Sequence, residues 1–171
     1  MNSWILVGMM GAGKTTLGRA LAERSGRTFK DTDQMLQLRL GRAIAQIFQV
    51  YGEPTFRDHE SNVLKGLESG PFVVSTGGGI VLRPENWVEM RRLGLIIYLR
   101  AAPEILIERL EKSKKKRPLL DTEDWETRLK ELLEEREPLY QQADVVIELN
   151  DVELDNALDR VWEVIQEREL T

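Results

Sequence analysis

The sequence predicts an α/β fold in which a parallel sheet is covered by helices on both faces. Short apolar runs alternate with longer stretches of helical periodicity along all 171 residues. Continuous apolar strands are typical of a parallel sheet that is buried on both sides. Glycine-rich or charged segments follow several of these runs, at the edge where such sheets bind ligands. We therefore expect one domain, residues 1–171, with its ligand site at the carboxyl ends of the strands.

Five apolar runs are the predicted strands, at 4–7, 28–30, 72–75, 95–99 and 145–147. Helices are predicted at 14–24, about 34–39, 43–50, from about 55 onward, and at about 85–93, 103–113, 123–142 and 152–168. Pro54 stands just before the helix that begins near Thr55, and proline suits a first helical turn. The order of the strands within the sheet does not follow from this pattern.

The composition excludes several classes of protein. The chain has no cysteine and a single histidine, His59, so disulfides and thiolate or histidine metal sites are not expected. We interpret His59 as an exposed helical residue. The net charge of -5 lacks the basic footprint of a nucleic-acid-binding protein. No apolar run approaches the ~20 residues of a membrane span, and no signal peptide is evident, so we expect a cytoplasmic protein without nucleic-acid or membrane partners.

A phosphate-binding loop occupies the first strand–helix junction. Residues 8–15 read Gly-Met-Met-Gly-Ala-Gly-Lys-Thr. The glycines let backbone N–H groups curl around phosphate oxygens, and the helix N-terminus adds partial positive charge. Lys14 can reach the β- and γ-phosphates, and the Thr15 hydroxyl can ligate Mg²⁺. The loop therefore predicts binding of ATP with Mg²⁺.

Two other interpretations of this loop fit less well. A glycine-rich turn that binds nothing would leave Lys14 and Thr15 unexplained. A dinucleotide-binding fold would require a third glycine where Thr16 stands.

Asp31 and Asp33 follow the second predicted strand and can face one cleft. One carboxylate could help to hold Mg²⁺ through water, and the other could accept a proton from a substrate hydroxyl or orient it. A helix N-cap with surface charge is the alternative, because aspartate is favoured at that position. The neighbouring phosphate-binding loop favours the functional interpretation.

Two arginines are candidates for an inward position, with an ordinary surface residue as the alternative for each. Arg136 lies three residues after Leu133 and four after Leu132, on the apolar stripe of its helix. An inward arginine is unusual unless it meets a buried glutamate or the carboxylate of a ligand. Arg57 shares a helix face with Glu60, which could hold its guanidinium in place. A structural salt bridge stays open for both arginines at this point.

Two further segments stand out. Three glycines, Gly77, Gly78 and Gly79, follow the third predicted strand and indicate either close approach of a ligand or a tight turn. The basic run 112–118 is a solvated surface, a nucleic-acid or phosphate contact, or a lid over a nucleotide. Arg117 is the best candidate for a lid contact with the transferring phosphoryl group.

At these segments the sequence resembles the shikimate kinases. The resemblance runs from Val7 to about Ala143 and is carried by residues 8–18, 29–33, 47–48, 52–57, 60, 76–79, 117–120 and 136–140. The phosphate-binding loop is shared by many proteins, whereas the other segments in this order and spacing are specific to the family. Asn86-Trp87 departs from the Asn-Arg that the family often has. Asn150-Asp151 offers no basic side chain for an adenine contact.

The resemblance implies ATP-dependent phosphorylation of the 3-hydroxyl of shikimate, in the route to chorismate and the aromatic amino acids. The implied fold is a P-loop kinase three-layer sandwich with a five-stranded parallel sheet and helices on both faces. A substrate-binding helical region is expected at about 32–61 and a lid at about 112–124. Shikimate and ATP are the expected partners, Mg²⁺ the expected cofactor, and a monomer the expected state.

The resemblance also implies roles for individual residues. The catalytic residues would be Lys14, Asp33 and Arg117, with Asp33 as the base. ATP would be bound by Gly11, Ala12, Gly13, Lys14, Thr15, Thr16, Arg109 and Arg117, with Arg109 near the adenine. Shikimate would be bound by Asp33, Arg57, Gly77, Gly78, Gly79 and Arg136, with both arginines at its carboxylate. Thr15 and Asp31 would serve the metal.

Two alternatives accompany this hypothesis. One is a different P-loop kinase, acting on gluconate or a nucleotide. The other is a catalytically silent nucleotide-binding module. The silent module is disfavoured because Lys14, Thr15, Asp31, Asp33 and Arg117 are all present.

Overall fold

The computed structural model describes residues 2–113, 120, 123–150 and 153–171. Within them, five strands form one sheet in the order β2-β3-β1-β4-β5, and all neighbouring pairs are parallel. The strands are β1 (Ser3–Val7), β2 (Thr28–Asp31), β3 (Phe72–Ser75), β4 (Gly94–Arg100) and β5 (Val145–Glu148). The predicted five-stranded parallel sheet is confirmed, and the structure supplies the strand order.

The helices alternate with these strands. They are α1 (Lys14–Ser25), α2 (Thr32–Leu40), α3 (Ile44–Gly66), α4 (Pro84–Leu93), α5 (Pro103–Lys112), α6 (Trp125–Tyr140) and α7 (Leu154–Leu170), with a short 3₁₀ helix at Ile80–Leu82. Helix α3 joins two predicted helices across a kink at Gly52, whose φ of 80° suits glycine. Among the described residues, no helix is long and apolar enough to cross a membrane.

The core has one layer on each side of the sheet. Ile5 and Val7 of β1 belong to one apolar cluster, which also contains side chains of α3, α4, α5 and α6. Trp4 and Leu6 belong to the opposite cluster, with side chains of α1 and α7. Successive side chains of a strand point to opposite faces, so β1 contributes to both layers. The three-layer arrangement predicted from the sequence is therefore confirmed.

The region predicted to bind substrate, residues 32–61, consists of α2 and most of α3. A small apolar cluster is built on its residues Leu36, Ile47 and Phe56, together with Val63 from the following turn of α3. This cluster holds the two helices together beside the sheet edge. The predicted lid at about 112–124 lies mostly outside the described residues.

The pairing of β1 with β3 sets the height at which two loops leave the sheet. Leu6 pairs with Ser75 in the parallel register. The next residue, Thr76, donates its hydroxyl to the Leu6 carbonyl at 2.7 Å. As a result, the loop after β1 and the loop after β3 begin side by side at the carboxyl edge.

Leu6→Ala should lower the free energy of unfolding by about 2–5 kcal/mol, because it opens a cavity in the central strand. Leu6 is 0% exposed. The matched control is Leu38→Ala on α2, where the side chain is 80% exposed and a change within about 0.5 kcal/mol is expected. Urea unfolding followed by circular dichroism measures both variants. Equal losses would contradict the placement of Leu6 in the core.

Candidate active site

A cleft of about 420 Å³ opens at the carboxyl edge of the sheet. Its walls come from the phosphate-binding loop, the end of β2, the loop after β3, the last turn of α5 and the first turn of α7. The site residues that line it are Thr15, Thr16, Asp31, Asp33, Gly77 and Gly78, with the loop 10–14 and Arg109. The cleft thus lies where parallel sheets bind ligands.

The phosphate-binding loop has the backbone geometry that its glycines predict. Gly11 and Gly13 adopt φ of 85° and 96°, in the left-handed region that favours glycine. Lys14 begins α1, and its ammonium donates to the Gly8 carbonyl at 2.6 Å and to the Met9 carbonyl at 3.0 Å. These bonds fold the lysine back along the loop, so its charge stays where a bound phosphate would lie.

The last turn of helix α5 packs against the phosphate-binding loop. Arg109 donates to the Gly11 carbonyl at 3.3 Å and to the Ala12 carbonyl at 3.1 Å. Leu110 packs so close that a β-carbon on Gly11 would lie 3.1 Å from its Cγ. The guanidinium of Arg109 therefore lies at the loop itself, and its expected place near an adenine stays a prediction.

Asp31 caps α2, as one interpretation predicted, and it also contacts Thr15, while its role toward a metal stays a prediction. One carboxylate oxygen caps α2, accepting from the backbone N–H of Asp33 at 2.9 Å and of Gln34 at 3.2 Å. The other accepts from the Thr15 hydroxyl at 3.3 Å. A hydroxyl and a carboxylate oxygen placed side by side are ligands that Mg²⁺ accepts.

Such a Mg²⁺ ion would take most of its ligands from water and phosphate. Within the described part of the chain, no group of three or more acidic, histidine or cysteine side chains could hold a metal. Mg²⁺ ordinarily keeps several waters and binds through one or two protein oxygens plus substrate phosphates. Thr15 and Asp31 fit that mode.

The three glycines after β3 leave room for charged side chains of the protein. A β-carbon on Gly77 would lie 2.8 Å from a carboxylate oxygen of Asp33 and 2.9 Å from one of Glu60. A β-carbon on Gly79 would overlap the guanidinium of Arg57. The φ of Gly79 is -91°, which any residue can adopt. Close packing therefore requires glycine at these positions. The sequence predicted that a ligand would approach the glycine backbone closely, and in the structure the side chains of the site itself do so.

Arg57 and Glu60 form a buried ion pair, as their helix spacing indicated. Their guanidinium nitrogen and carboxylate oxygen are 3.0 Å apart, with side chains 8% and 0% exposed. Glu53 makes a second, longer contact with Arg57 at 3.4 Å. Burial, with a smaller contribution from the nearby charge of Asp33, raises the pKa of Glu60 to about 7 despite the opposing charge of Arg57. Glu60 thus holds Arg57 in place and is close to its own titration point at neutral pH.

Arg136 is buried on α6, at 2% exposure, as the apolar stripe predicted. Its Nη1 atom lies 3.5 Å from the position of a β-carbon on Gly78. Among the described residues, its buried Nε and Nη1 atoms have no hydrogen-bond partner. Buried donors are normally satisfied, so this guanidinium has the unmet capacity that a ligand carboxylate would fill.

Sequence reasoning gave no role to two buried rings near the glycines. Tyr140, one turn after Arg136 on the same stripe, donates its hydroxyl to the Gly78 carbonyl at 2.6 Å. Trp87 is 3% exposed and donates its indole N–H to the Val81 carbonyl at 3.0 Å. The departure from the family pattern at Trp87 therefore places a hydrogen-bonded ring in the core. Tyr140 lies four residues after Arg136, which puts it on the same helix face, but spacing alone could not name its acceptor.

The remaining predicted positions are away from the cleft or outside the described residues. Arg117 and Asp151 lie outside them. His59 is half-buried, so its interpretation as an exposed residue is wrong: its ring packs against an aromatic neighbour on α3. Asn150 accepts a hydrogen bond from the Ala102 backbone at 2.7 Å and so braces the start of α5.

A sequence model of the family described as shikimate kinase matches residues 10–166. The chain belongs to the shikimate kinase family. A shikimate kinase from Burkholderia lata is 51% identical over 144 residues, which are 83% of this chain and 78% of that protein. A shikimate kinase from Caldanaerobacter subterraneus subsp. tengcongensis is 42% identical over 162 residues, which are 94% of each.

Solved shikimate kinase structures have the same fold. The structure from Acinetobacter baumannii, in complex with shikimate, has a TM-score of 0.94 and 36% identity, and covers 100% of this chain and 96% of that one. The structure from Bacteroides thetaiotaomicron has a TM-score of 0.87 and 33% identity, and covers 96% of this chain and 98% of that one. The α/β sandwich inferred from the sequence is therefore the architecture of the family.

Glu60→Gln should change how stability depends on pH. The pKa of Glu60 is about 7 in the folded protein, above its ordinary 4.5, so ionisation destabilises the fold as pH rises between these values. The wild type should lose on the order of 3 kcal/mol relative to Glu60→Gln from pH 4.5 to pH 8. Urea unfolding at several pH values measures this difference.

The control for Glu60→Gln is Glu53→Gln, which removes the half-exposed partner of the same arginine. This control keeps Glu60 and should keep the pH dependence of the wild type. If the stability of Glu60→Gln ran parallel to that of the wild type over the whole range, Glu60 would not titrate near neutral pH.

Proposed function

We propose that this chain transfers the γ-phosphoryl group of ATP to the 3-hydroxyl of shikimate, giving 3-phosphoshikimate and ADP on the route to chorismate and the aromatic amino acids. The observation that carries the proposal is the buried Arg136. Its Nη1 lies against Gly78, next to the phosphate-binding loop, and within the described part of the chain its Nε and Nη1 have no hydrogen-bond partner. Membership of the shikimate kinase family supports it. The similarity to a structure solved with shikimate bound supports the choice of acceptor.

The nucleotide half of the proposed reaction uses the phosphate-binding loop. Backbone N–H groups of residues 11–16 would surround the phosphates, and Lys14 would pair with the β- and γ-phosphates. Mg²⁺, held by Thr15 and through water by Asp31, would neutralise charge on the phosphate oxygens. Arg109 and Arg117 would add positive charge above the nucleotide.

The acceptor half explains the two inward arginines. A carboxylate gives Arg136 a partner for a bidentate pair, and such pairs fix orientation as well as adding affinity. Arg57 would supply the second positive charge, kept in place by Glu60. The backbone of the glycine loop would complete the contact. A small hydroxylated carboxylate is thus the class of acceptor that this half of the cleft fits.

Asp33 would act on the acceptor hydroxyl. It lies in the first turn of α2 and lines the same cleft as the phosphate-binding loop. A carboxylate at this place can accept the hydroxyl proton or orient the oxygen for attack on the γ-phosphorus. Phosphoryl transfer is driven largely by positioning and electrostatics, so either role would place the nucleophile in line. The monomeric state and the cytoplasmic location stay predictions.

An ADP-release assay with a panel of acceptors tests the proposed function. Shikimate, gluconate and a nucleoside monophosphate are each offered with ATP and Mg²⁺. We expect turnover with shikimate, since its carboxylate and adjacent hydroxyls match the arginines and Asp33. Turnover with gluconate or the nucleotide but not with shikimate would identify a different P-loop kinase. Nucleotide binding without turnover on any acceptor would identify a silent module.

Asp33→Asn should lower kcat by about a hundredfold or more, because the amide can neither accept the proton nor carry the negative charge. ATP binding should persist, since Asp33 is outside the phosphate-binding loop. The matched control is Asp58→Asn on α3, whose side chain is 66% exposed and pairs with Arg83. Steady-state kinetics with shikimate compare the two. A kcat close to that of the control would rule out Asp33 as the base.

A further inference from the structure

Two stacked tyrosines lie behind the three-glycine loop, and the proposed chemistry does not use them. Tyr98 is on β4 and Tyr140 is the last residue of α6. Their ring centroids are 4.7 Å apart with an interplanar angle of 21°. Both are buried, at 1% and 0% exposure. The stack alone would be ordinary core packing.

The two hydroxyls have different acceptors. The Tyr98 hydroxyl donates to a carboxylate oxygen of Glu137 at 2.5 Å, and Arg100 donates to the other oxygen at 2.7 Å. That arrangement ties β4 to α6 and does not involve the glycines. The Tyr140 hydroxyl instead donates to the carbonyl of Gly78, the middle glycine, at 2.6 Å. Burial raises the pKa of Tyr140 to about 12, so the hydroxyl stays a donor at neutral pH.

A hydrogen bond to the Gly78 carbonyl fixes more than that one oxygen. The peptide group is planar and trans, so the N–H of Gly79 must point away from the carbonyl that Tyr140 holds. A peptide between two glycines has little steric resistance to rotation, because neither flanking residue has a β-carbon. The Tyr140 hydroxyl therefore orients the N–H of Gly79.

Arg136 lies one turn before Tyr140 on α6 and beside the same glycine. The guanidinium of Arg136 lowers the pKa of Tyr140 against the larger effect of burial, which places the two groups in electrostatic contact. Arg136 also lies against Gly78, and among the described residues its Nε and Nη1 have no hydrogen-bond partner. No salt bridge joins Arg136 to a carboxylate in that part of the chain, although its charge lowers the pKa of Glu60, so a neutral neighbour can contribute to its orientation. Tyr140 and Arg136 thus both meet the loop at Gly78.

We propose that Tyr140 is a positioning residue for the acceptor, because its hydroxyl orients both the Gly78–Gly79 peptide and the guanidinium of Arg136. Together with Arg57, these two elements would receive the carboxylate of the substrate, and the inference rests on the proposed function. Tyr140 itself does not touch the reacting atoms. Its removal should weaken binding of the acceptor while binding of ATP, at the other end of the cleft, is unaffected.

Tyr140→Phe tests this role, because it keeps the ring and the stack and removes only the hydroxyl. We expect the KM for shikimate to rise about five- to tenfold, as for the loss of one well-placed buried hydrogen bond. The KM for ATP should stay within about twofold, and kcat should fall less than the KM for shikimate rises. Steady-state kinetics with each substrate varied in turn gives all three values.

Tyr98→Phe is the matched control. It removes the hydroxyl of the other ring in the same stack, which donates to Glu137 and not to the loop. Its KM for shikimate should stay within about twofold of the wild type. A rise of equal size in both variants would mean that the stack acts only through the stability of the fold, and it would overturn the positioning role. So would a parallel rise in the KM for ATP in Tyr140→Phe.

The wild-type enzyme, measured in the same assay, separates the two proposals. Wild-type turnover of shikimate combined with an unchanged KM in Tyr140→Phe overturns the positioning role and leaves the proposed function intact. Absence of wild-type turnover with shikimate contradicts the proposed function and this inference with it. Both proposals are supported if the wild type turns over shikimate and the KM for shikimate rises in Tyr140→Phe but not in Tyr98→Phe.

Discussion

The parallel pairing of β1 with β3 brings the two halves of the site together. Leu6 and Ser75 are in register, and the Thr76 hydroxyl closes the pair with a bond to the Leu6 carbonyl. The phosphate-binding loop and the three-glycine loop therefore leave the sheet side by side. Phosphoryl transfer depends on holding donor and acceptor in one orientation, and this pairing supplies the fixed distance between their binding loops. The helices that carry the charged side chains pack around that frame.

The three-glycine loop is the surface on which those side chains meet. Asp33 comes from α2, Arg57 and Glu60 from α3, and Arg136 from α6. They approach the loop so closely that β-carbons on Gly77 and Gly79 would collide with them. Two guanidiniums and two carboxylates thus share a small volume beside the loop. The pKa of Glu60 is raised as a result, because burial disfavours the charged form of its carboxyl group.

The two arginines differ in their ion-pair partners, and this difference indicates what kind of acceptor the cleft fits. Arg57 has Glu60 as a buried partner, whereas Arg136 has no ion-pair partner among the described residues. A ligand that brings its own carboxylate would satisfy the second arginine without another protein anion. Tyr140 fits the same scheme, because a neutral donor orients Arg136 and the loop without adding charge. Under the proposed function, the cleft would receive an acid at one end and phosphates at the other.

Several site features followed from short stretches of sequence. The loop 8–15 was predicted from its own letters, and its glycines have the positive φ that the pattern requires. Arg136 was placed inward by its spacing from Leu132 and Leu133, and it is buried. The pairing of Arg57 with Glu60 followed from one turn of helix. Each of these depends on residues within a few positions of one another, where helix and strand periodicity fix the geometry.

The sequence by itself determined the strands, the phosphate-binding loop, the inward arginines and membership of a family, because those depend on local periodicity and on ordered motifs. Only the tertiary structure decided the strand order, since nothing local states which strands pair. It also decided that Asp31 both caps α2 and meets Thr15, and that Gly77 and Gly79 are small because side chains from other helices press against them. The Tyr140 bond to Gly78 joins residues far apart in the chain, so it exists only once β3 and α6 are packed together.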